Sequence, residues 1–564
     1  MKNYDVAELL ERLSLLSEAA GEDRFKAIAY RRASTSVRNL DRDIEEVWKN
    51  GELEEIQFVG EAIAKKIGEY LSTGKLRFLD ELEKKVPEGV VELMKVPGVG
   101  PKTAYRLSTG FGIKSVAALR EASASGKLAE ILGPVIAKRL AEDLGKVGEA
   151  SSRMLLVDAF HLAAQLIAYF DAKGVDVQPA GSLRRGKETV GDIDLLATDP
   201  RAADLFVEAP MVDRVIEKGP TKVSVYLKTG TQVDLRTIKK GQYGAALVYF
   251  TGSKQHNIEL RSLAIEKGWK LNEYGLVDGK TGKQLAGKAE EEVYSKLGLE
   301  FIPPELREAR GEVEAAAEGR LPTLVDVGDL KGDMHMHSIW SDGREELETM
   351  ARAARKRGYE YMVISDHSIS VGVANGLDQE RFKKQWKSID KLNDELKPFK
   401  ILKGVEAEVR GDGSLDFPKE FFDQFDVVGA SIHQGHRQPP EKLMERAVKV
   451  LTNPSVDIMY HPTNRIIGRR EGHALDMPKL IQTAKENGKI LEIDGSPNRL
   501  DLDDIWSRRA MQEGVMLCVD SDAHSTEELE NIQFGVAVAR RAWLEKKDVA
   551  NALPLKDLLK IVAR

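Results

Sequence analysis

Residues 180–197 read AGSLRRGKETVGDIDLLA. Gly181 and Ser182 open a turn, Arg184, Arg185 and Lys187 load it with positive charge, and Asp192 and Asp194 then flank Ile193. Strand side chains alternate, so both carboxylates fall on one face while Ile193 turns to the core. Further on, Asp234 in QVDLRTI lies on a second alternating strand. Three converging carboxylates can hold two Mg²⁺ (or Mn²⁺) ions, roughly 3.5–4 Å apart, as phosphoryl transfer requires. One ion would lower the pKa of an attacking 3′-OH and the other would neutralise a triphosphate, with Ser182 and Arg185 on its β/γ-phosphates. Any single aspartate is more often a solvated turn residue. The ordered combination marks a nucleotidyltransferase core without naming its substrate.

Moving outward, residues 249–257 read YFTGSKQHN. With them the first 320 residues resemble a family X DNA polymerase, similar to polymerase beta. The matching stretches are KAIAYRRAS (26–34), VPGVGPKTA (96–104), FGIKSVAALR (111–120), GSLRRG (181–186), GDIDLL (191–196), VDLR (233–236) and YFTGS (249–253), in the family's order. The resemblance implies catalytic, metal-holding Asp192, Asp194 and Asp234, and a nucleotide site of Gly181, Ser182, Arg185, Gly191, Tyr249, Phe250, Gly252 and Asn257. Tyr249 and Phe250 would exclude a 2′-OH, Gly252 would let the backbone approach the nucleotide, and Asn257 would reach its base. The bland reading of Tyr249 and Phe250 is a core aromatic pair.

Toward the N-terminus the chain reads as successive helices, with Val6, Leu9, Leu10, Leu13 and Leu16 at helical spacing. VPGVGPKTAYRL (96–107) is a Gly-x-Gly turn before a helix, where backbone N–H groups of Gly98 and Gly100, with Lys102, could meet DNA phosphates. This is the helix-hairpin-helix pattern; its structural alternative is an ordinary αα-turn. A weaker copy, IQFVGEAIAKKI (56–67), keeps Gly60 but has Phe58 where the first glycine would stand. By resemblance Lys66 is the candidate Schiff-base lysine of a 5′-deoxyribose-phosphate lyase, with Lys26 at a phosphate contact and Lys65 as competitor.

Beyond residue 330 the rhythm becomes strand and helix in alternation. The strand candidates are 332–337, 362–367, 401–408, 427–433, 456–461, 490–495 and 515–524, nearly all ending in His, Asp or Glu. Reactive residues at successive strand ends describe a (β/α) barrel of seven units whose site lies at the strand C-termini. Nine N/O ligands stand there: His335, His337, Asp342, His367, Glu406, His433, His461, Asp522 and His524. A lone strand-end histidine is usually structural, but this many at one mouth, with Glu406 as a bridge, imply two or three Zn²⁺, Mn²⁺ or Fe²⁺ ions and phosphoester hydrolysis. The H-x-H, S-D-G, D-H-S and D-x-H elements resemble the polymerase and histidinol phosphatase (PHP) domain, a distorted (β/α)₇ barrel. In prokaryotic family X polymerases that resemblance implies 3′→5′ exonuclease and abasic-site endonuclease activities. Its rivals are a barrel kept as a scaffold or regulator, a DNA-binding platform with weak catalysis, and a small-molecule phosphatase.

Composition bounds the rest. The 564 residues carry a net charge of −7, so DNA contact must rest on local arrangements rather than bulk charge. Only His161 and His256 precede residue 331, whereas the other eight histidines follow it. One cysteine, Cys518, excludes an internal disulfide framework. No apolar run approaches the roughly 20 residues of a membrane span, and the N-terminus does not read as a secretory signal. The expectation is a cytoplasmic, monomeric, multidomain enzyme acting on gapped or primer-template DNA and dNTPs. Its parts would be an all-α helix-hairpin-helix region (lyase-like 1–85, fingers 86–148), an α+β palm (149–240), a thumb (241–315), a linker (316–330) and the PHP barrel (331–564).

Overall fold

The computed structural model describes residues 2–562 except 21, 23, 39, 41–43, 88, 95–98, 134–136, 138–139 and 141–152. The chain forms two compact units, Met1–Ser152 and Arg153–Arg564. In the first, the helix Lys2–Ala19 is followed by Arg24–Arg38, Glu61–Thr73, Arg77–Lys85, Pro101–Phe111 and shorter helices. The stripe Val6, Leu9, Leu10, Leu13 and Leu16 is buried, and one apolar cluster runs from Val6 to Leu140. Each such leucine contributes about 1.5–3 kcal/mol by leaving water.

In the second unit the palm is a five-stranded sheet in the order Val177–Pro179, Ile193–Ala197, Gln232–Thr237, Lys222–Leu227, Val212–Lys218. Its second and third strands run parallel, with Asp194 opposite Asp234. The helix Leu156–Asp171 covers one face through Leu166 and Phe170. The thumb follows, with helices Tyr243–Thr251, Lys254–Glu266 and Glu290–Leu297 around its own core. His256 is a structural residue there, fully buried between Glu312 (2.7 Å) and the Tyr294 hydroxyl (2.9 Å).

The seven expected barrel strands are present, six of them shorter than their sequence bounds and the third one residue longer. Gly332–Asp333, Tyr361–Ile364, Lys400–Glu408, Val427–Ser431, Ile458–Met459, Ile490–Asp494 and Leu517–Asp520 pair in parallel in chain order. A parallel bridge between Met336 and Ala523 joins the first strand's end to the last, where the His337 N–H donates to the Ala523 carbonyl at 2.8 Å. Residues 361–364 and 427–431 are buried throughout, which is why they read as continuous apolar runs.

Two features show palm, thumb and barrel packed together. Palm residues and barrel residues belong to one apolar cluster, and Phe160 meets Phe534 edge-on at 5.8 Å. The polar-looking stretch before residue 331 is also packed. Glu312–Ala317 is a helix with Val313, Ala315 and Ala316 buried, and Val325 donates its N–H to the Leu544 carbonyl. Val313 and Ala316 belong to the thumb's own apolar cluster. Among the described residues no helix is long and apolar enough to cross a membrane.

Candidate active sites

In the palm, the sheet register sets the carboxylates. Asp194 and Asp234 stand side by side on adjacent parallel strands, and Asp192 lies just before the strand, exposed. Gly181 turns above them at φ +62°; a Cβ there would lie 2.5 Å from Asp194 Oδ2, so only glycine fits this approach. Burial pushes the Asp194 carboxyl up to about 7, reinforced by the charges of Asp192 and Asp234. Burial and Asp234 also raise Asp192. Asp234 goes the other way: burial would raise it, but hydrogen bonds led by Lys222 hold it below the usual range. Lys222 Nζ lies 2.8 Å from Asp234 Oδ2, and Gln232 Nε2 donates to Oδ1 at 3.2 Å. Asp192 and Asp194, raised by burial and by neighbouring carboxylates near a glycine cradle, suit divalent cations, which would relieve that repulsion.

Around this centre Arg185 donates from Nε to Glu308 (2.9 Å) and from Nη1 to the Thr251 carbonyl. Arg184 is bidentate on Glu290 at 2.7 and 2.9 Å. Gly252, at φ +74°, packs against the Arg185 guanidinium, where a Cβ would be 3.1 Å from Nη1. Tyr249 and Phe250 meet edge-on at 5.0 Å, and the Arg236 guanidinium lies 4.3 Å above the Phe250 ring. Asn257 donates to the Tyr249 carbonyl at 2.7 Å, so its side chain braces that helix in this state. Gly191 is exposed beside Arg153.

In the N-terminal unit, Gly60 and Gly100 are the N-caps of Glu61–Thr73 and Pro101–Phe111. Gly98 and the Lys102 side chain lie outside the described residues. Phe58 adopts φ +65°, the left-handed conformation a glycine would take without strain, with Arg32 5.4 Å over its ring. Lys66 and Lys65 are distinguishable. Lys65 pairs with Glu61 at 2.6 Å, which raises its pKa. Lys66 lies 4.9 Å over Phe78 and 5.9 Å over Tyr30; burial, then Lys26, lower its pKa.

The barrel gathers its candidates at one mouth. Met336 is buried between His335 and His337, whose imidazoles share a side. Asp342 returns to them because Gly343 passes where a Cβ would be 2.6 Å from Ser338 backbone. Glu406 is central: its Oε2 lies 3.4 Å from His335, 3.5 Å from His337 and 2.9 Å from His367, and its Oε1 3.2 Å from His433 and 2.9 Å from His461. Asp522 Oδ1 is 3.5 Å from His335 and 3.3 Å from His337. Asp342 reaches His367 and His524, each at 3.5 Å. Four overlapping metal-sized groupings result: His337, Asp342, His367, His524; His335, His337, Asp522; His335, Glu406, His461; and His367, Glu406, His433.

The donor chemistry fits several divalent cations. His335 Nε2, both ring nitrogens of His337 and His461 Nδ1 are buried without a hydrogen-bond partner, a costly condition that bound cations would relieve. Supporting residues escaped the sequence reading. Glu492 accepts from His335 Nδ1 (2.7 Å) and Glu408 from His433 Nδ1 (2.8 Å), fixing which nitrogen faces the centre. Asp366 anchors the 338–341 loop through both serine hydroxyls and Gln385. Glu408 was findable, being two residues beyond Glu406 on one strand and so on the same face. His436 and His473 contact each other at 2.9 Å and belong to none of the four groupings.

Fold and sites together define a class: a nucleotidyltransferase palm and thumb joined to a PHP barrel whose mouth gathers residues able to hold metal ions. Comparison with known proteins agrees along the whole chain. Residues 1–76 match a helix-hairpin-helix domain, 90–146 a SAM-like helix-hairpin-helix tandem, 246–308 the DNA polymerase beta thumb, and 333–494 the PHP domain. The chain is 39% identical over 567 residues to the DNA polymerase/3′-5′ exonuclease PolX of Bacillus subtilis, covering 99% of each protein. A probable phosphatase of Acetivibrio thermocellus matches over 209 residues at 31% identity, covering 35% of this chain and 80% of that protein. DNA polymerase lambda of Rattus norvegicus matches at 26% over 345 residues, 54% of this chain and 56% of its own. The chain belongs to the PolX family, the family X DNA polymerases that carry a PHP domain.

Proposed function

We propose that this enzyme, a DNA polymerase with 3′→5′ exonuclease activity like its PolX relative, fills short gaps in base-excision repair and that its barrel also cuts abasic sites. The observation that carries the reading is the pairing of two unlike cation sites in one unit: Asp194 beside Asp234 under Gly181, and Glu406 amid five imidazoles.

In the palm, Asp192, Asp194 and Asp234 would hold two Mg²⁺ or Mn²⁺ ions. Gly181 and Ser182 present backbone and hydroxyl to a triphosphate, and Arg185 adds a guanidinium beside them. Tyr249 and Phe250 form the surface a sugar would lie on, kept rigid by the Asn257 bond to the Tyr249 carbonyl. Bulk there disfavours a 2′-OH. In the barrel, the nine strand-end residues would hold two or three ions. Bound there, Zn²⁺, Mn²⁺ or Fe²⁺ would supply a nucleophile near neutral pH and charge neutralisation for phosphodiester cleavage. The chain's own part is to orient the imidazoles through Glu408 and Glu492 and to keep the mouth open to a DNA end.

Gapped DNA and an abasic duplex, each incubated with Mg²⁺ or Mn²⁺, test this with wild type, Asp192→Ala and His337→Ala. The first variant should lose extension and keep degradation, and the second the reverse. Loss of both activities in both variants would refute two separate sites, and intact abasic DNA with wild type would remove the endonuclease.

A further inference from the structure

The turn that carries Arg185 rests on the barrel. Gly186 adopts φ +62°, and a Cβ there would stand 3.2 Å from Ala537 Cβ and 3.9 Å from Arg541 Cδ, both on the barrel helix Ile532–Arg541. Arg541 is 3% exposed, and its hydrogen bonds go to none of the barrel's metal candidates. It donates to three acceptors: the Arg185 carbonyl at 2.9 Å, Glu308 Oε1 at 2.9 Å and Asp504 Oδ2 at 2.7 Å. The same Glu308 oxygen accepts from Arg185 Nε at 2.9 Å. One carboxylate of the thumb's end therefore joins a palm guanidinium to a barrel guanidinium.

The charges explain why the arrangement holds its shape. Glu308 and Asp504 are shared by Arg185, Arg310 and Arg541, with Lys187 4.0 Å from Glu308. Burial alone would raise the Glu308 carboxyl, yet Lys187, Arg541 and Arg185 hold it well below the usual carboxylate range. Two carboxylates are thus shared among four basic side chains, of which Arg185 and Lys187 belong to the turn that also presents Ser182. A planar guanidinium can address three acceptors at fixed angles, which a lysine cannot.

We propose that Arg541 is a positioning residue for DNA synthesis: from the barrel it fixes Glu308 and the Arg185 carbonyl, and so aims the Arg185 guanidinium at the triphosphate of an incoming nucleotide. The inference rests on reading the 181–185 turn as the triphosphate cradle. It gives the barrel a part in synthesis that is independent of its metal centre. Without Arg541, Glu308 would keep its bond to Arg185 but lose the anchor that sets its own position. Misplacement of a charged contact by a fraction of an ångström weakens it in proportion to geometry.

The test is single-nucleotide extension by the full-length enzyme, with nuclease activity measured on the same preparations. Arg541→Met should raise the KM for dNTP about tenfold, the order expected when a charge-assisted contact is lost, with kcat and nuclease within about twofold. Arg541→Lys should fall between, about threefold. The double variant Arg185→Met/Arg541→Met should match Arg185→Met alone, because the second residue acts through the first. An unchanged KM in Arg541→Met, or additive effects in the double variant, would overturn the proposal, as would parallel loss of nuclease. If Arg541→Met does not fold, Arg541→Lys decides: raised KM with intact nuclease supports the role, and wild-type KM ends it. An unchanged KM in Arg185→Met would instead show that the cradle reading itself is wrong.

Discussion

Replacing Asp194 by asparagine should stabilise the protein while abolishing synthesis. The side chain is half-buried against Gly181, between Asp192 and Asp234, and its carboxyl is pushed up to about 7, first by burial and then by those two charges. An unfolded aspartate titrates near about 3.9. Because the folded value is the higher one, ionisation is penalised. The penalty is absent below about pH 4, grows between about 4 and 7, and is complete above. At 1.36 kcal/mol per pH unit it amounts to on the order of 4 kcal/mol, which partial solvent access trims to ~2–3 kcal/mol. An amide of the same shape carries no such penalty. For a unit the size of Arg153–Arg564, each kcal/mol moves Tm by roughly 1–2 °C. Scanning calorimetry in chelator should therefore find Asp194→Asn melting roughly 2–6 °C above wild type at pH 8, with the difference shrinking toward pH 4. Added Mg²⁺ should raise wild-type Tm more than the variant's. A difference that is flat with pH would refute the assignment of the shift to burial and neighbouring carboxylates, and surviving primer extension would refute the metal-holding role.

Three further outcomes are expected. Gly181→Ala puts a Cβ 2.5 Å from Asp194 Oδ2 at a positive φ, so extension should fall about 10²-fold, as for a misplaced reacting group, with barrel nuclease intact; near-normal extension would mean the turn is free to move. Borohydride trapping on abasic DNA should be lost in Lys66→Ala and kept in Lys65→Ala, since only Lys66 has a lowered pKa; equal trapping by both variants would remove Lys66 from the lyase role. DNA affinity should fall steeply with salt in a log–log plot, as backbone phosphate contacts require, and a flat line would exclude phosphate-led binding by this acidic chain.

Much of both sites could be read from sequence because their geometry is local. Asp192-Ile193-Asp194 and His335-Met336-His337 each space two donors around one buried apolar residue, a pattern visible without the fold, although Asp192 lies just before its strand and both histidines just beyond theirs. Barrel strands buried on both faces give unbroken apolar runs, and the chain leaves each run at the mouth, so His367, His433 and His461 could be collected without knowing the pairing. What was not legible depends on which distant segments meet. Periodicity tells that Arg541 and Asp504 lie on helices, but not that both face the turn of Arg185. Nor does it tell that Glu492 sits behind His335, because a buried Glu in LEIDG reads like any strand-end acid. The polar stretch at the thumb's end is opaque for a related reason: Glu312 looks solvated until its partner, His256, is found 56 positions earlier.

The continuous core between palm and barrel also governs how the two activities can be separated. Phe534 is 4% exposed and packs on Phe160, and Glu188 of the palm turn pairs with Arg465 of the barrel at 2.7 Å. Cutting the chain near residue 330 would uncover that apolar surface at about 25 cal/mol per Å², take Arg465 from Glu188 and take Arg541 from the buried Glu308, leaving it Arg185 and Lys187 alone. A truncated polymerase would then be weak for reasons unrelated to catalysis. Single substitutions at the metal-facing side chains leave this shared interior intact, so the division of labour between palm and barrel is properly decided in the full-length protein.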